Sequence, residues 1–253
     1  MNRPLPRYLA YGDPAVTYID RTSPQAGDLQ WLGYGFYQLD HPGTSGQIAH
    51  PREESLLFGW KGVGHVELDG QTYELTPYDV LYIPRGQVYR VWSEHDEPVT
   101  LIHCRAIAEN QHPVYYARWA DVSSDEARIR HLNGKDVFLC FDVSEAAEKL
   151  IAGFTIFEPH QRSYPPHNHT DQEEIYLFTQ GSGAMEVYYE EESKWFVRSV
   201  SEGDAVTIPL LTYHPVFSHE QPLHFLWCIA GERYWVGDKN KDFMDGKVDK
   251  LTT

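Results

Sequence analysis

A strand-rich pattern that occurs twice is the feature that most limits how this chain can fold. Residues 76–93 align with residues 201–218 at a constant spacing of 125 positions, so that Asp79 matches Asp204. A fixed spacing over the whole of such a segment indicates a duplicated structural unit rather than chance similarity. The pattern therefore predicts two related domains that share one architecture.

A second pair of matching segments lies upstream of the first pair. The segments that begin at Glu53 and Glu173 both contain Glu-Glu, Leu-Phe and a Gly-x-Gly turn, with one extra residue before the turn in the first copy. The two matches occur in the same order, which supports the duplication. We therefore predict an N-terminal domain over 1–105, a linker with short helices over 106–150, and a C-terminal domain over 151–253.

Most of the remaining sequence has the composition of short β-strands. β-branched and aromatic runs are separated by Gly and Pro at intervals of roughly 8–12 residues, a spacing typical of sandwiches and barrels. Asp69-Gly70 lies between two such runs and predicts a β-hairpin. Residues 123–132 and a single turn over 144–150 are predicted to be helical. The fold class predicted is all-β, with two β-barrel or jelly-roll domains that arose by internal duplication.

The composition excludes several classes of partner. A formal net charge of −16 disfavours nucleic acid and anionic membranes, and it means that an acidic substrate needs a local cation. The cysteines Cys104, Cys140 and Cys228 have neither the number nor the spacing of a disulfide framework or a thiolate zinc site. No apolar signal segment or membrane-length apolar run occurs, so we expect a cytoplasmic protein.

The strongest indication of a functional site is PPHNHTDQEEIYLF, residues 165–178. On a strand, His167 and His169 share one face because successive side chains alternate. Glu174 follows after enough chain for a bend, and His214 follows the second copy's Ile-Pro. Three imidazoles and one carboxylate suit zinc, manganese, iron or nickel, and they do not suit calcium.

These residues carry a resemblance to the cupin domains. The first cupin motif, H-x-H-x(3,4)-E-x6-G, is matched by His167, His169, Glu174 and Gly181. The resemblance implies a cupin fold for the second copy. It also implies one divalent metal ion per chain, with zinc expected first and manganese, iron or nickel as alternatives.

The second cupin motif, G-x5-P-x-G-x2-H-x3-N, runs from Gly203 through Pro209 to His214. Leu211 replaces the glycine of the motif and Ser218 replaces its asparagine. Neither departure affects a residue that binds metal in the family, so the resemblance places His214 as the fourth ligand.

The first copy lacks this set of residues. Tyr89 occupies the position that corresponds to His214, and no H-x-H precedes Glu54. His50 alone cannot hold a metal ion. We therefore expect a bicupin with one metal site, which lies in the C-terminal domain.

A narrower resemblance is to the bicupin uronate isomerases. It is carried by residues 163–178, 207–216 and 226–235, which read SYPPHNHTDQEEIYLF, TIPLLTYHPV and LWCIAGERYW. The group includes the 5-deoxyglucuronate isomerases of inositol breakdown and the 5-keto-4-deoxyuronate isomerases of pectin-type breakdown. The resemblance implies aldose–ketose isomerisation of a deoxy-uronate through an enediol, yielding 5-keto-2-deoxygluconate in the first case.

Isomerisation needs a group that moves a proton and a cation that binds the acid. The catalytic candidates are the carboxylates Glu158 and Glu186, with Glu173 weaker because it points outward if Glu174 points inward. Tyr176, like Tyr164, could donate a proton to a substrate oxygen. The candidates for substrate binding are Arg162, Tyr164 and Arg233.

Two other readings use the same residues. An iron-dependent cupin dioxygenase would consume oxygen, and a non-catalytic sugar-binding bicupin would bind without turnover. The partner expected is a small sugar acid, with neither nucleic acid nor membrane. We also expect a homo-oligomer, with WKGVGHVEL (residues 60–68) as an edge strand available for pairing between subunits.

Overall fold

The structure is a computed structural model, and it describes residues 16–20, 29–40, 42–163, 166–190 and 193–231. These residues form two compact units that are built almost wholly from antiparallel sheet. Unit 1 lies within Met1–Ser124 and Val143–Leu150, and unit 2 lies within Asp125–Asp142 and Ile151–Thr253. The all-β prediction is therefore confirmed.

Unit 1 contains eleven strands and one short helix among its described residues. These are β1 (Val16–Asp20), β2 (Leu32–Leu39), β3 (Gly43–Thr44), β4 (Ile48–Ala49), β5 (Glu53–Lys61), β6 (Gly64–Leu68), β7 (Gln71–Leu75), β8 (Val80–Ile83), β9 (Val88–Ser93), β10 (Val99–Ile107), β11 (Tyr115–Ala117) and α1 (Trp119–Val122). One sheet has the order β1-β2-β10-β5-β8-β11. The other has the order β3-β9-β6-β7, with β4 also paired to β9.

Unit 2 repeats this two-sheet design. Its elements are a 3-10 helix (Glu126–Arg128), β12 (Ile129–Leu132), β13 (Lys135–Phe141), β14 (Leu150–Phe157), β15 (Gln172–Gln180), β16 (Ser182–Glu190), β17 (Ser193–Ser201), β18 (Ala205–Ile208), β19 (Val216–Ser218) and β20 (Leu223–Gly231). One sheet has the order β12-β13-β14-β20-β15-β18, and the other has the order β17-β16-β19.

A single apolar core lies between the two sheets of unit 2. Tyr176 and Phe178 of β15 meet Met185 of β16, and Phe157 and Phe225 stack with their ring centroids 5.9 Å apart. Each fully buried side chain of this size contributes about 1.5–3 kcal/mol to stability. Because alternate residues of β15 point into this core, Glu174 lies on the same face of the strand as Tyr176.

The predicted hairpin at Asp69-Gly70 is confirmed. β6 and β7 pair directly on either side of these two residues. Asp69 has φ 52° and Gly70 has φ 77°, so both lie in the left-handed region. Positive φ at both central residues defines the type I′ turn, whose twist matches that of the flanking strands.

The register of the duplication differs from the prediction in the upstream segment. Ile83 pairs with Ser55 in unit 1, and its counterpart Ile208 pairs with Glu174 in unit 2. Ser55, rather than Glu54, is therefore the structural counterpart of Glu174. The alignment on the shared Glu-Glu and Leu-Phe residues was therefore wrong by one position.

The helices predicted between the two repeats differ from those observed. Residues 123–132 contain the 3-10 helix followed by β12, and β12 pairs with β13 along its whole length. Residues 144–150 form turns that lead into β14. Pairing with a neighbouring strand outweighs the weak helix propensity of these short segments.

The predicted edge strand is also different. β6, which contains most of the WKGVGHVEL stretch, pairs with β7 on one side and β9 on the other. It is therefore an interior strand of its sheet and offers no free edge. Among the described residues, no helix has both the length and the apolar composition that crossing a membrane requires.

Candidate metal centre

Three histidines and one glutamate converge in unit 2. One ligand atom from each of His167, His169, Glu174 and His214 lies within 4.8 Å of all the others. His169 Nε2 is 3.1 Å from Glu174 Oε2, and His214 Nε2 is 3.2 Å from the same oxygen. His214 Nε2 is also 3.2 Å from His167 Nε2. The four residues predicted from the motifs are thus brought to one point.

Two loops that are distant in sequence are tied together to form this cluster. The backbone N–H of Leu211 donates to the carbonyl of His169 at 2.8 Å. In return, Asn168 Nδ2 donates to the carbonyl of Leu211 at 3.3 Å. These bonds join the loop of His167 and His169 to the loop that carries His214. Glu174 comes from the start of β15, where it pairs with Ile208.

His214 is oriented by its own loop. The carbonyl of Thr212 lies 2.9 Å from His214 Nδ1, which can donate its proton there. Thr212 is itself fixed by a 2.6 Å hydrogen bond from its hydroxyl to the carbonyl of Pro209. A proton held on Nδ1 leaves Nε2 as the unprotonated nitrogen, which is the form that binds a metal.

Burial sets the protonation of the cluster. Burial lowers the pKa of His167 well below its usual range, and the neighbouring His214 and His169 lower it further. For Glu174, burial acts to raise the pKa, but contacts with His169 and His214 outweigh it, so the pKa is lowered. Neutral imidazoles and an ionised carboxylate are the states required of metal ligands.

The donor set fits a divalent transition metal. Glu174 is 3% exposed, and its carboxylate lies against the imidazoles of His169 and His214. A buried charge without a counter-charge is costly. A divalent cation would compensate it, and imidazole nitrogen with carboxylate oxygen is a ligand set suited to zinc, manganese, iron or nickel.

Tyr176 is the predicted proton-transfer residue that the structure places beside the cluster. It is 7% exposed and shares the inward face of β15 with Glu174. Its ring centroid lies 5.6 Å from that of His214 and 4.4 Å from that of Phe225. The side chain is therefore held between the apolar core and the histidine ligands.

The three carboxylate candidates point elsewhere. Glu158 is exposed, at the end of β14. Glu186 lies on β16 between two core residues and so faces away from the core, opposite Val197, which is 57% exposed. Glu173 is 1% exposed, on the face of β15 opposite to Glu174. Alternation along the strand predicts an exposed side chain at this position. Glu173 is buried because β15 is covered on both faces, and such a strand does not alternate polar and apolar residues.

The predicted substrate-binding residues are not brought together by the described part of the chain. Arg162 is exposed, and its guanidinium lies 5.0 Å from the ring centroid of Phe217. Tyr164 and Arg233 lie outside the described residues. Arg162 is thus placed as a surface arginine that stacks on an aromatic ring.

Two residues in unit 2 were missed by sequence reasoning. Lys135 begins β13, where a cation was not sought, and Trp227 lies on β20 directly opposite Tyr176. On β13, Lys135 shares one strand face with Val137 and Leu139, which pack in the core of unit 2, but Phe138 and Cys140 on the other face are also apolar and buried, so no local pattern marks it. A lysine on the apolar phase of a strand points into the core.

Taken together, the fold and the cluster define a two-domain cupin whose second domain has a site suited to one metal ion. The KduI/IolB family profile matches residues 12–245, and the chain belongs to this family.

Curated relatives carry one activity in their names. The 4-deoxy-L-threo-5-hexosulose-uronate ketol-isomerase of Shouchella clausii is 23% identical over 205 residues, which are 77% of this chain and 73% of the relative. The protein of the same name from Halalkalibacterium halodurans is 26% identical over 195 residues, 69% of this chain and 66% of the relative. The matches thus span about two thirds to three quarters of the length of these relatives.

Solved structures share the fold at low identity. An IolB-like protein from Salmonella typhimurium LT2 has a TM-score of 0.73 at 18% identity, and the match covers 94% of this chain and 95% of that one. A mutant of Bacillus subtilis oxalate decarboxylase has a TM-score of 0.71 at 13% identity, with 96% and 82% covered. These likenesses support the bicupin fold and nothing finer.

Proposed function

We propose that this protein is a metal-dependent ketol-isomerase of a deoxy-uronate, with 4-deoxy-L-threo-5-hexosulose uronate as the first substrate to test. The isomerase class follows from the family and its curated relatives. The metal dependence and the sugar acid are our inference. The observation that carries it is the convergence of three imidazoles and one carboxylate within 4.8 Å inside a domain of this family.

In this proposal His167, His169, Glu174 and His214 hold one divalent ion, with zinc or manganese expected and iron or nickel compatible with the same donors. When bound, the ion supplies a Lewis acid that stabilises negative charge developing on the substrate oxygens. Isomerisation involves no net redox change, so a redox-inactive ion is sufficient.

Tyr176 is the group that we assign to exchanging a proton with the substrate oxygens of the enediol. Its ring centroid lies 5.6 Å from that of His214, which supports this assignment. A tyrosine can donate to, and accept from, the oxygens that change protonation in an enediol pathway. The apolar neighbours Phe178 and Phe225 keep water away from this position.

The test is a proton NMR time course in D2O. The metal-replete protein is given 4-deoxy-L-threo-5-hexosulose uronate and, separately, 5-deoxyglucuronate, each with and without chelator. We expect chelator-sensitive conversion of one substrate, with deuterium entering the product. Oxygen uptake instead of isomerisation would support the dioxygenase reading, and binding of sugar acids without turnover would support the non-catalytic one.

The role of Tyr176 is tested by Tyr176→Phe, with Tyr188→Phe as the matched control. Tyr188 is a tyrosine of the same unit, 2% exposed, and it stacks on Tyr213 rather than on the cluster. We expect Tyr176→Phe to lower kcat by about 100-fold, the usual size of a general acid–base contribution, with metal content unchanged. Equal activity of the two variants would remove Tyr176 from the proton transfer.

A further inference from the structure

Lys135 is a cation inside unit 2 for which the described residues provide no anion. It begins β13, opposite Phe157 of β14, and its Nζ lies 5.1 Å from the centroid of the Phe157 ring. That ring belongs to the apolar core of unit 2. Leu139, four residues after Lys135 on β13, belongs to the same core. Within the described part of the chain, Lys135 makes no ion pair and no hydrogen bond.

The side chain of Lys135 is partly buried. Burial lowers the pKa of Lys135 to about 8, and no neighbouring carboxylate opposes this shift. A protein with a net charge of −16 has many carboxylates that could have neutralised it. A partly desolvated cation with no ion-pair partner among the described residues is costly, so a fold that retains one has a reason to do so other than stability.

A continuous series of ring contacts links the ammonium group to the candidate metal centre. Phe157, below the ammonium group, stacks on Phe225, the Phe225 ring centroid is 4.4 Å from that of Tyr176, and the Tyr176 centroid is 5.6 Å from that of His214. The cation and the histidine–glutamate cluster therefore act on the same interior. A ligand that reaches the cluster comes under the influence of Lys135.

A second hydrogen-bond donor in this interior has no partner. Trp227 is 9% exposed, belongs to the same apolar core, and lies opposite Tyr176 in the pairing of β15 with β20. Its Nε1–H is buried and makes no hydrogen bond. An indole N–H can only donate, and so can an ammonium group, so the two groups together call for a ligand rich in acceptor oxygens.

We propose that Lys135 binds the carboxylate of the substrate inside unit 2, and that the indole N–H of Trp227 donates to an oxygen of the same molecule. This assignment rests on the proposed function for the choice of a sugar acid. It supplies the cation that neither Arg162 nor any other predicted residue provides within the described chain. It also gives the site a preference for acids over neutral sugars.

The test measures binding rather than turnover, so it does not depend on the reaction. D-glucuronate and D-glucose, which differ in the carboxylate, are titrated into the metal-loaded protein by calorimetry. We expect the wild type to prefer glucuronate, and Lys135→Met to weaken glucuronate binding by about 10- to 100-fold, as expected for loss of a charge-assisted hydrogen bond. Glucose binding should not change, and Lys135→Arg should restore most of the preference.

The matched control is Lys61→Met. Lys61 also lies over an aromatic ring, with its Nζ 4.7 Å from the centroid of Trp60, but it is exposed and belongs to unit 1. Trp227→Phe should weaken the binding of both D-glucuronate and D-glucose, by a smaller factor than Lys135→Met weakens glucuronate binding. A purely structural role for Lys135 predicts a lower Tm for Lys135→Met, whereas our assignment predicts an equal or higher Tm because a buried charge is removed.

The outcomes separate this assignment from the proposed function. Unchanged glucuronate binding in Lys135→Met would overturn the assignment, even if the wild type isomerises a deoxy-uronate. Loss of glucuronate binding in Lys135→Met, together with no turnover of either uronate by the wild type, would support the assignment and reject the reaction. If turnover occurs, the same variant should raise KM with little change in kcat, because the carboxylate contact is present in both the ground state and the transition state.

Discussion

The four positions that form the histidine–glutamate cluster of unit 2 have counterparts in unit 1. The counterparts are Ile48, His50, Ser55 and Tyr89. A backbone hydrogen bond supports the match of His50 with His169. The N–H of Gly86 donates to the carbonyl of His50 in unit 1, and the N–H of Leu211 donates to the carbonyl of His169 in unit 2. The same backbone therefore carries four possible ligands in one unit and a single histidine in the other.

Unit 1 pairs the side chains at and around these positions with groups of its own chain. The hydroxyls of Tyr37 and Tyr89 are 2.8 Å apart, and His103 Nε2 lies 2.9 Å from the hydroxyl of Ser55. Arg105 is 1% exposed and faces Glu53, with Nε 3.5 Å from the carboxylate. The interior arginine of unit 1 thus has a carboxylate beside it.

Unit 2 has different groups at the corresponding positions. Three imidazoles and a carboxylate meet there, and Lys135 has no ion-pair partner among the described residues. The lesson of the comparison is that one scaffold can close its interior with protein groups or keep it open for a ligand. Unfavourable electrostatics in the absence of a ligand are what distinguish the second case.

The largest effect should come from breaking the cluster at equivalent positions of the two units. His169→Ala should lose the metal ion and lower the isomerase rate by about 1000-fold or more, since a catalytic metal contributes several kcal/mol to the transition state. His50→Ala changes the counterpart of His169 in unit 1, and this variant should keep both the metal ion and the isomerase rate. Metal analysis after dialysis and the NMR assay check this pair. Metal loss from His50→Ala would mean that unit 1 also takes part in metal binding.

The next effect concerns the two interior cations. Arg105→Met leaves the buried Glu53 with His50, 3.7 Å away, as its ion-pair partner among the described residues, and should destabilise unit 1 by about 3–5 kcal/mol. Lys135→Met leaves no charge behind and should not destabilise unit 2. Urea denaturation followed by probes in each unit measures both variants. A large loss of stability in Lys135→Met would show that its charge is balanced after all.

The stabilisation from Lys135→Met should depend on pH. The pKa of Lys135 in the folded protein is about 8, below its ordinary value, so the unfolded chain binds the proton more tightly. The cost of the charge, up to about 3 kcal/mol, is present below pH 8 and declines as the pH rises toward the unfolded value. Denaturation of both proteins at pH 7 and at pH 9.5 should therefore show a smaller difference at the higher pH.

Metal removal should lower the local stability of unit 2 and leave that of unit 1 unchanged. A ligand present at 100 times its dissociation constant stabilises the state that binds it by about 2.7 kcal/mol. Chelation should therefore raise hydrogen exchange in β15, β18 and β20, which surround the cluster, and leave β5, β8 and β10 protected. Hydrogen-exchange mass spectrometry resolves these peptides. Equal deprotection of both sets would indicate that the metal supports the whole chain rather than unit 2.

The fold and the metal cluster were accessible from the sequence because both depend on local spacing. Strand alternation, the Asp69-Gly70 turn and the two motifs around His167 and His214 each act over a few residues. The prediction that these two motifs meet in space followed from the resemblance to cupins. The homo-oligomer, the cytoplasmic location and the identity of the metal stay predictions.

What could not be read from the sequence depends on long-range packing. Glu173 is buried on the outer face of β15, although alternation alone predicts an exposed side chain there. Residues 129–132 became a strand because β13 was available to pair with them. Lys135 was overlooked because a lysine on a short strand is ordinarily on the surface, and only the core around it shows otherwise.

The smallest effect lies in the loop that positions His214. Leu211, which replaces the motif's glycine, has φ 64°, and its counterpart Gly86 in unit 1 has φ 75°. The left-handed region costs a residue with a Cβ about 1–2 kcal/mol, so the loop keeps the shape required by the ligands at the expense of stability. Leu211 is 40% exposed, so little apolar burial offsets this strain.

Leu211→Gly should therefore stabilise unit 2 by up to about 1 kcal/mol, since relief of strain exceeds the greater entropy of glycine in the unfolded chain. Gly86→Ala introduces the same strain into unit 1 and should destabilise it by about 1 kcal/mol, because an added Cβ would make an ordinary contact 3.8 Å from Gln111 Nε2 and only φ opposes it. Urea denaturation midpoints measure both changes, with metal content as the check on the site. If Leu211→Gly lowers metal affinity instead, the leucine side chain itself helps to hold the ligand loop, and the two loops differ in more than strain.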